Sequence, residues 1–86
     1  MTPDEIRRQV LDCLGRVAPE ADRAGIAPGV PLRDQLDIDS MDFLRFVIEL
    51  DETLHVPVPE SDYHKIATLD GCVQYLSARL PGMPAG

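Results

Sequence analysis

No apolar run in this 86-residue chain approaches the ~20 residues that a helix needs to cross a bilayer, which excludes a helical membrane span. The start, Met1-Thr2-Pro3-Asp4-Glu5-Ile6-Arg7-Arg8, lacks the apolar core of a secretory signal. These absences predict a soluble, cytoplasmic chain. Cysteine is scarce. Cys13 and Cys72 form no CxxC pair and are too few for a disulfide framework, and with His55 and His64 they fall at no zinc-binding spacing. Both read as small core residues. No nucleophile stands beside a base in a recognisable motif, and 9.5 kDa leaves no room for a pocket walled by two domains. Repeats, low-complexity tracts and convincing strand patterns are missing as well.

What is present is an ordinary globular balance, 44% apolar and 27% charged, that argues against disorder. The length predicts one domain over residues 1–86, with 81–86 as a flexible tail. Folding at this size buries only roughly 60% of the chain's surface, so the core is small.

The net charge of −7 is unevenly placed. Residues 1–33 hold five acids and five arginines, and residues 63–86 are nearly neutral. Between them, residues 34–62 carry nine acids (Asp34, Asp37, Asp39, Asp42, Glu49, Asp51, Glu52, Glu60, Asp62) against Arg45 alone, a net −8. Such a field repels nucleic-acid phosphates and anionic lipid and attracts basic protein surfaces. A solvated face that only confers solubility is the other reading of the same charge. Neither nucleic acid nor membrane is expected as a partner, and the chain is expected to be a monomer.

Thr2-Pro3-Asp4-Glu5 is a helix start, with Thr2 as cap, Pro3 at the first helical position and Glu5 closing a capping box. Ile6, Val10, Leu14 and Val17 then recur at helical spacing, with Leu11 and Cys13 beside them, so the first helix runs to about Val17. Residues 18–38 contain Pro19, Gly25, Pro28, Gly29 and Pro31 and read as a long loop, anchored on the core by Ile26, Val30, Leu32 and Leu36. A second long helix spans about Asp39 to Leu54 and ends before Val56-Pro57-Val58-Pro59. Pro59-Glu60-Ser61-Asp62 opens a short helical turn reaching about Lys65. Thr68 caps a last helix bearing Leu69, Cys72, Val73, Leu76 and Leu80, stopped by Pro81-Gly82. The predicted fold is a small all-α, four-helix bundle: three main helices, a short third helix, and a long loop between helices one and two.

On the second helix, Phe43, Phe46, Val47, Leu50 and Leu54 share one broad face, while Leu44 and Ile48 fall further round beside Met41. The apolar arc is roughly 220° wide, about twice what core packing requires. So small a bundle cannot easily cover it. Met41, Leu44 and Ile48 are therefore expected to be partly exposed, fringed by Asp42, Arg45 and Glu52, as in a protein-docking surface. Cover by the short helix and the long loop is the competing expectation. At the head of this helix stands Ser40. It reads first as a cap, yet Asp39 can fill that role and leave the Ser40 hydroxyl pointing outward. A helix N-terminus favours an attached anion, so a phosphodiester on Ser40 would be well placed.

Asp39-Ser40-Met41 resembles the Asp-Ser-(Leu/Met) attachment motif of acyl carrier proteins. The resemblance covers nearly the whole chain, including Val58-Pro59-Glu60 and the Thr68-Leu69 opening of the last helix before Tyr75-Leu76. It implies that Ser40 receives 4′-phosphopantetheine from coenzyme A through a phosphopantetheinyl transferase, with Mg²⁺ needed only by that enzyme. It also implies a carrier that does no chemistry of its own. An acyl or related group would ride on the prosthetic thiol as a thioester, presented to acyl-loading and acyl-processing enzymes of fatty-acid, polyketide or another specialised biosynthesis. Asp39 and Met41 flank the attachment point. By the family's pattern Met41, Leu44 and Ile48 contact partners, while Asp39, Asp42, Asp51 and Glu52 meet their basic patches.

Several residues depart from that pattern. Asp37 stands where many carriers have Gly, and the Gly-Gly-(His/Asp)-Ser form common in peptidyl carriers is absent, which disfavours an aminoacyl or peptidyl carrier. Arg45 interrupts the acidic helix and suggests a partner set unlike that of the housekeeping fatty-acid carrier. Tyr63 replaces a usually small residue, to pack in the core or to narrow or line a cargo cavity. These departures favour a free-standing carrier of a specialised pathway. Two other readings compete. A calcium-binding hand starting at Asp37 fails at Met41, Asp42 and Ile48, where its template needs an acid, Gly and Glu. A non-covalent acidic helical adaptor explains the strip but gives Ser40 no reason to be free.

Overall fold

The computed structural model describes residues 2–80. Its elements are helix α1 (Pro3–Val17), a 3-10 turn at Arg23–Gly25, the one-turn helix α2 (Leu32–Gln35), α3 (Ser40–Leu54), a 3-10 segment at Glu60–Ile66, and α4 (Leu69–Arg79). Each long helix begins on the cap foreseen. Thr2 accepts the Glu5 N–H at 3.2 Å and Glu5 returns a bond to the Thr2 N–H, while Thr68 accepts the Gly71 N–H at 2.9 Å. Each such cap satisfies a backbone donor that the first turn leaves unpaired and stabilises the helix by about 0.5–2 kcal/mol. The expected flexible tail and the Pro81-Gly82 stop lie outside the described residues. Among the described residues no helix is long and apolar enough to cross a membrane.

Ile6, Val10, Cys13 and Leu14 form the fully buried stripe of α1, and through it α1 packs against both α3 and α4. Phe46 and Leu50 of α3 and Leu69, Cys72 and Leu76 of α4 close on that stripe. α3 ends where His55 turns into the left-handed region at φ 58°, its N–H bonded to the Asp51 carbonyl at 2.7 Å. Val56 and Val58 are then buried while Pro57 and Pro59 face solvent, an extended stretch whose two prolines cannot continue the helix. The expected turn after Pro59 is the 3-10 segment. Tyr63 within it sets its ring edge-on to Phe43 of α3, centroids 5.6 Å apart, so it packs against the core.

The stretch read as a helix-free loop needs two corrections. It contains the Arg23–Gly25 turn and α2, each a single turn and so too short to show a helical period. Val30 is no anchor, being 40% exposed, whereas Ile26, Leu32 and Ile38 are buried. The loop wraps the core and is tied to the far end of the chain by backbone bonds, Leu32 N–H to the Ala67 carbonyl at 2.7 Å and Asp70 N–H to the Pro28 carbonyl at 3.0 Å.

The 3-10 segment is held to α4 by polar contacts around Asp62. The Tyr75 hydroxyl donates to Asp62 at 2.7 Å, Lys65 and Arg79 approach within 3.3 and 3.7 Å, and the Arg79 guanidinium lies over the Tyr75 ring. The Tyr75 hydrogen bond, then Lys65 and Arg79, hold the Asp62 carboxyl below its ordinary value of 3.8. Next to this cluster, the carbonyl of Lys65 lies against the Cα of Gly71 so closely that a Cβ there would collide with it.

Two expectations follow from this packing. Gly71→Ala should lower unfolding free energy by about 1–3 kcal/mol in a urea titration, although alanine is the better helix former, because backbone has to move. Asp62→Asn should be less stable than wild type at neutral pH. A lowered folded-state pKa contributes stability that is complete above the unfolded-state value and lost as pH falls through the folded one. The gap between the two melting temperatures should therefore close as pH drops below about 3.8.

Candidate functional site

Ser40 is the first residue of α3 and is exposed. Asp39, in extended conformation, caps the helix: its Oδ1 accepts the Asp42 N–H at 2.9 Å, and Asp42 Oδ2 accepts the Asp39 N–H at 3.2 Å. The carboxylates of Asp39 and Asp42 thus each accept a backbone N–H of the other residue and relieve Ser40 of any capping role. The Ser40 hydroxyl oxygen instead accepts a hydrogen bond from Arg33 Nη2 at 3.2 Å. Phe43 N–H bonds the Asp39 carbonyl at 3.0 Å, while the N–H groups of Ser40 and Met41 have no partner among the described residues. A hydroxyl released from capping, two free backbone donors at a helix N-terminus and an adjacent guanidinium suit a phosphate ester.

Arg33 was not foreseen as part of this site. It projects from α2, whose geometry depends on Gln35, a second residue missed. The Gln35 side chain donates to the carbonyls of Ala27 at 2.9 Å and Val30 at 3.0 Å and accepts the Ala27 N–H at 2.8 Å. One amide thereby closes the loop on itself ahead of Ser40. Composition carries no signal for this, because an isolated Gln in a Pro/Gly-rich stretch looks like any polar loop residue.

Beyond Ser40, α3 presents the expected strip: Met41 is 67% exposed, Leu44 40% and Ile48 47%, against buried Phe43, Phe46, Val47, Leu50 and Leu54. The short helix and the loop leave it uncovered. Asp51, Glu52 and Arg45 are exposed around it and Asp42 is half-buried in the cap. Arg45 makes no ion pair among the described residues. Glu49, by contrast, faces α1, where Arg16 approaches it within 3.6 Å and donates to Thr53 at 3.2 Å. His55 and His64 are exposed and far from forming a cluster. Both cysteines are buried, and burial raises both thiols, that of Cys72 to about 12. Among the described residues no three His, Cys, Asp or Glu side chains gather as a metal site.

Residues 8–76 match the protein family described as "Phosphopantetheine attachment site". Similar proteins include the acyl carrier protein of Lactobacillus johnsonii, 30% identical over 78 residues that cover 91% of this chain and 96% of that protein. That of Chlorobium luteolum is 31% identical over 77 residues, 88% of this chain and 96% of its own. That of Rubrobacter xylanophilus is 28% identical over 75 residues, covering 81% and 90%. The chain belongs to the acyl carrier protein family of phosphopantetheine-binding carriers. Its members are non-catalytic carriers, and the phosphopantetheine attachment that defines the family decides against the non-covalent adaptor reading.

The support beneath the site is open to test. Gln35→Ala should destabilise the domain by about 1–3 kcal/mol, since it leaves part-buried backbone groups unpaired. Hydrogen exchange should report the loss locally, as faster exchange at the Ala27 amide than in wild type.

Proposed function

We propose that Ser40 Oγ is the attachment point of 4′-phosphopantetheine, and that residues 1–86 act as one carrier domain presenting an acyl or related group to partner enzymes. The observation that carries this reading is the Ser40 hydroxyl, exposed at the head of α3 within Asp39-Ser40-Met41 and released from capping by Asp39. The family match, which spans Ser40, supports it.

In the loading step the Ser40 oxygen attacks the pantetheine-bearing phosphorus of coenzyme A. An O–P bond forms, the P–O bond to 3′,5′-adenosine bisphosphate breaks, and the serine proton passes to a base on the Mg²⁺-dependent transferase. Once attached, the prosthetic group supplies a thiol on a flexible arm, able to hold an acyl group as a thioester. The chain's own residues do the rest without making or breaking bonds. Asp39 and Asp42 keep the helix end intact beside the modified serine.

Met41, Leu44 and Ile48 offer desolvatable contact area to the transferase and to acyl-loading and acyl-processing enzymes. The exposed carboxylates of Asp51 and Glu52, with those of Asp39 and Asp42, steer basic patches towards them. Cargo of fatty-acid, polyketide or other specialised biosynthesis suits this surface. Arg45 within the acidic rim asks for an acidic counterpart on the partner, which supports a dedicated rather than a housekeeping set of enzymes.

Incubation with coenzyme A, Mg²⁺ and a broad-specificity phosphopantetheinyl transferase should add one phosphopantetheine by intact mass, and Ser40→Ala should add none while keeping its helical circular dichroism. Absence of any gain on folded, unmodified wild type with several transferases would refute the attachment site.

A further inference from the structure

We infer that Arg33 is a positioning residue for the phosphate joining Ser40 to its prosthetic group, an inference that rests on the Ser40 assignment proposed above. Arg33 Nη2 already donates to the oxygen that would become the ester oxygen, at 3.2 Å. The guanidinium is exposed and lies in a segment rich in acids, yet it forms no ion pair among the described residues and reaches Ser40 instead. Its base is fixed. Leu32 is fully buried with its N–H on the Ala67 carbonyl, and Gln35 clamps the loop on the other side of the turn.

The non-bridging oxygens of a phosphodiester on Ser40 would lie two bonds beyond Oγ, across the phosphorus, close to the guanidinium that already reaches Oγ. Arg has five N–H donors in a planar fork that matches phosphate, so it can keep the ester oxygen and take a non-bridging one. The free N–H groups of Ser40 and Met41 approach from the helix side. The phosphate is then held between the α3 N-terminus and α2, and Arg33 offsets the repulsion of Asp39 and Asp42, the like charges of the capping box at the same helix end. The arm accordingly leaves from a defined side of the serine.

The test compares wild type, Arg33→Gln and Arg33→Lys, each as apo and fully loaded protein. For Arg33→Gln, kcat/KM for modification should fall roughly three- to tenfold, as expected for one charge-assisted contact at an exposed site, and Arg33→Lys should recover part of it. A second measurement separates phosphate positioning from a structural role of the arginine. The apo-to-loaded change in melting temperature should be more favourable in wild type than in Arg33→Gln by a few degrees, roughly 2–4 °C in a domain this small. The ³¹P resonance of the loaded protein should also move between the two. An equal increment, an unmoved ³¹P resonance and unchanged kinetics in a protein that does load would overturn the role of Arg33 and leave Ser40 standing. Failure of wild type to load at all would instead refute the Ser40 assignment, and the role of Arg33 with it.

Discussion

One helix, α1, has to serve two others. Its buried stripe of Ile6, Val10, Cys13 and Leu14 is the surface on which both α3 and α4 close, and the described residues hold no further long helix. The core can therefore take only one side of α3. Phe43, Phe46, Val47, Leu50 and Leu54 fill it, and Met41, Leu44 and Ile48 are left over. The exposed apolar strip is thus a consequence of helix supply, and acids border it on the solvent side.

Connecting α1 to α3 then becomes the second problem. The chain has to travel around the core with few regular hydrogen bonds of its own. It solves this with buried anchors at Ile26, Leu32 and Ile38, with the Gln35 amide, and with two backbone bonds to the segment around Ala67 and Asp70. Because those bonds run to the start of α4, the loop, the 3-10 segment and α4 form one continuous support. α2 inherits its position from that support, and so does Arg33. The surroundings of the Ser40 hydroxyl consequently depend on residues remote from it in the chain as well as on the helix that bears it.

What could be read from the sequence was whatever local chemistry decides. Thr2, Asp39 and Thr68 announced three helix starts because a cap is a contact between neighbours, and the width of the apolar arc on α3 foretold which of its residues would stay exposed. Arg33, Gln35 and Gly71 escaped because their roles are set by segments that only folding brings near: Ser40 for the first, Ala27 and Val30 for the second, the Lys65 carbonyl for the third. α2 escaped for a different reason, being one turn long. Val30 misled because apolar character alone does not say which way a loop residue faces.

Around Ser40 the acidic surface is arranged in a way that fits the phosphate ester proposed there. Asp39 and Asp42 stand next to the serine, yet one oxygen of each accepts a backbone N–H, so part of their charge is already balanced by the helix end. That arrangement stabilises the start of α3, keeps the hydroxyl out of the cap and leaves the N–H donors of Ser40 and Met41 without a partner among the described residues. The charges that lie further along, at Asp51 and Glu52, are not balanced in this way and face solvent. Negative potential is therefore muted where a phosphate would have to sit and full where a basic partner would dock. A uniformly acidic helix would offer one field to both; the capping box divides it, and Arg33 sharpens the division.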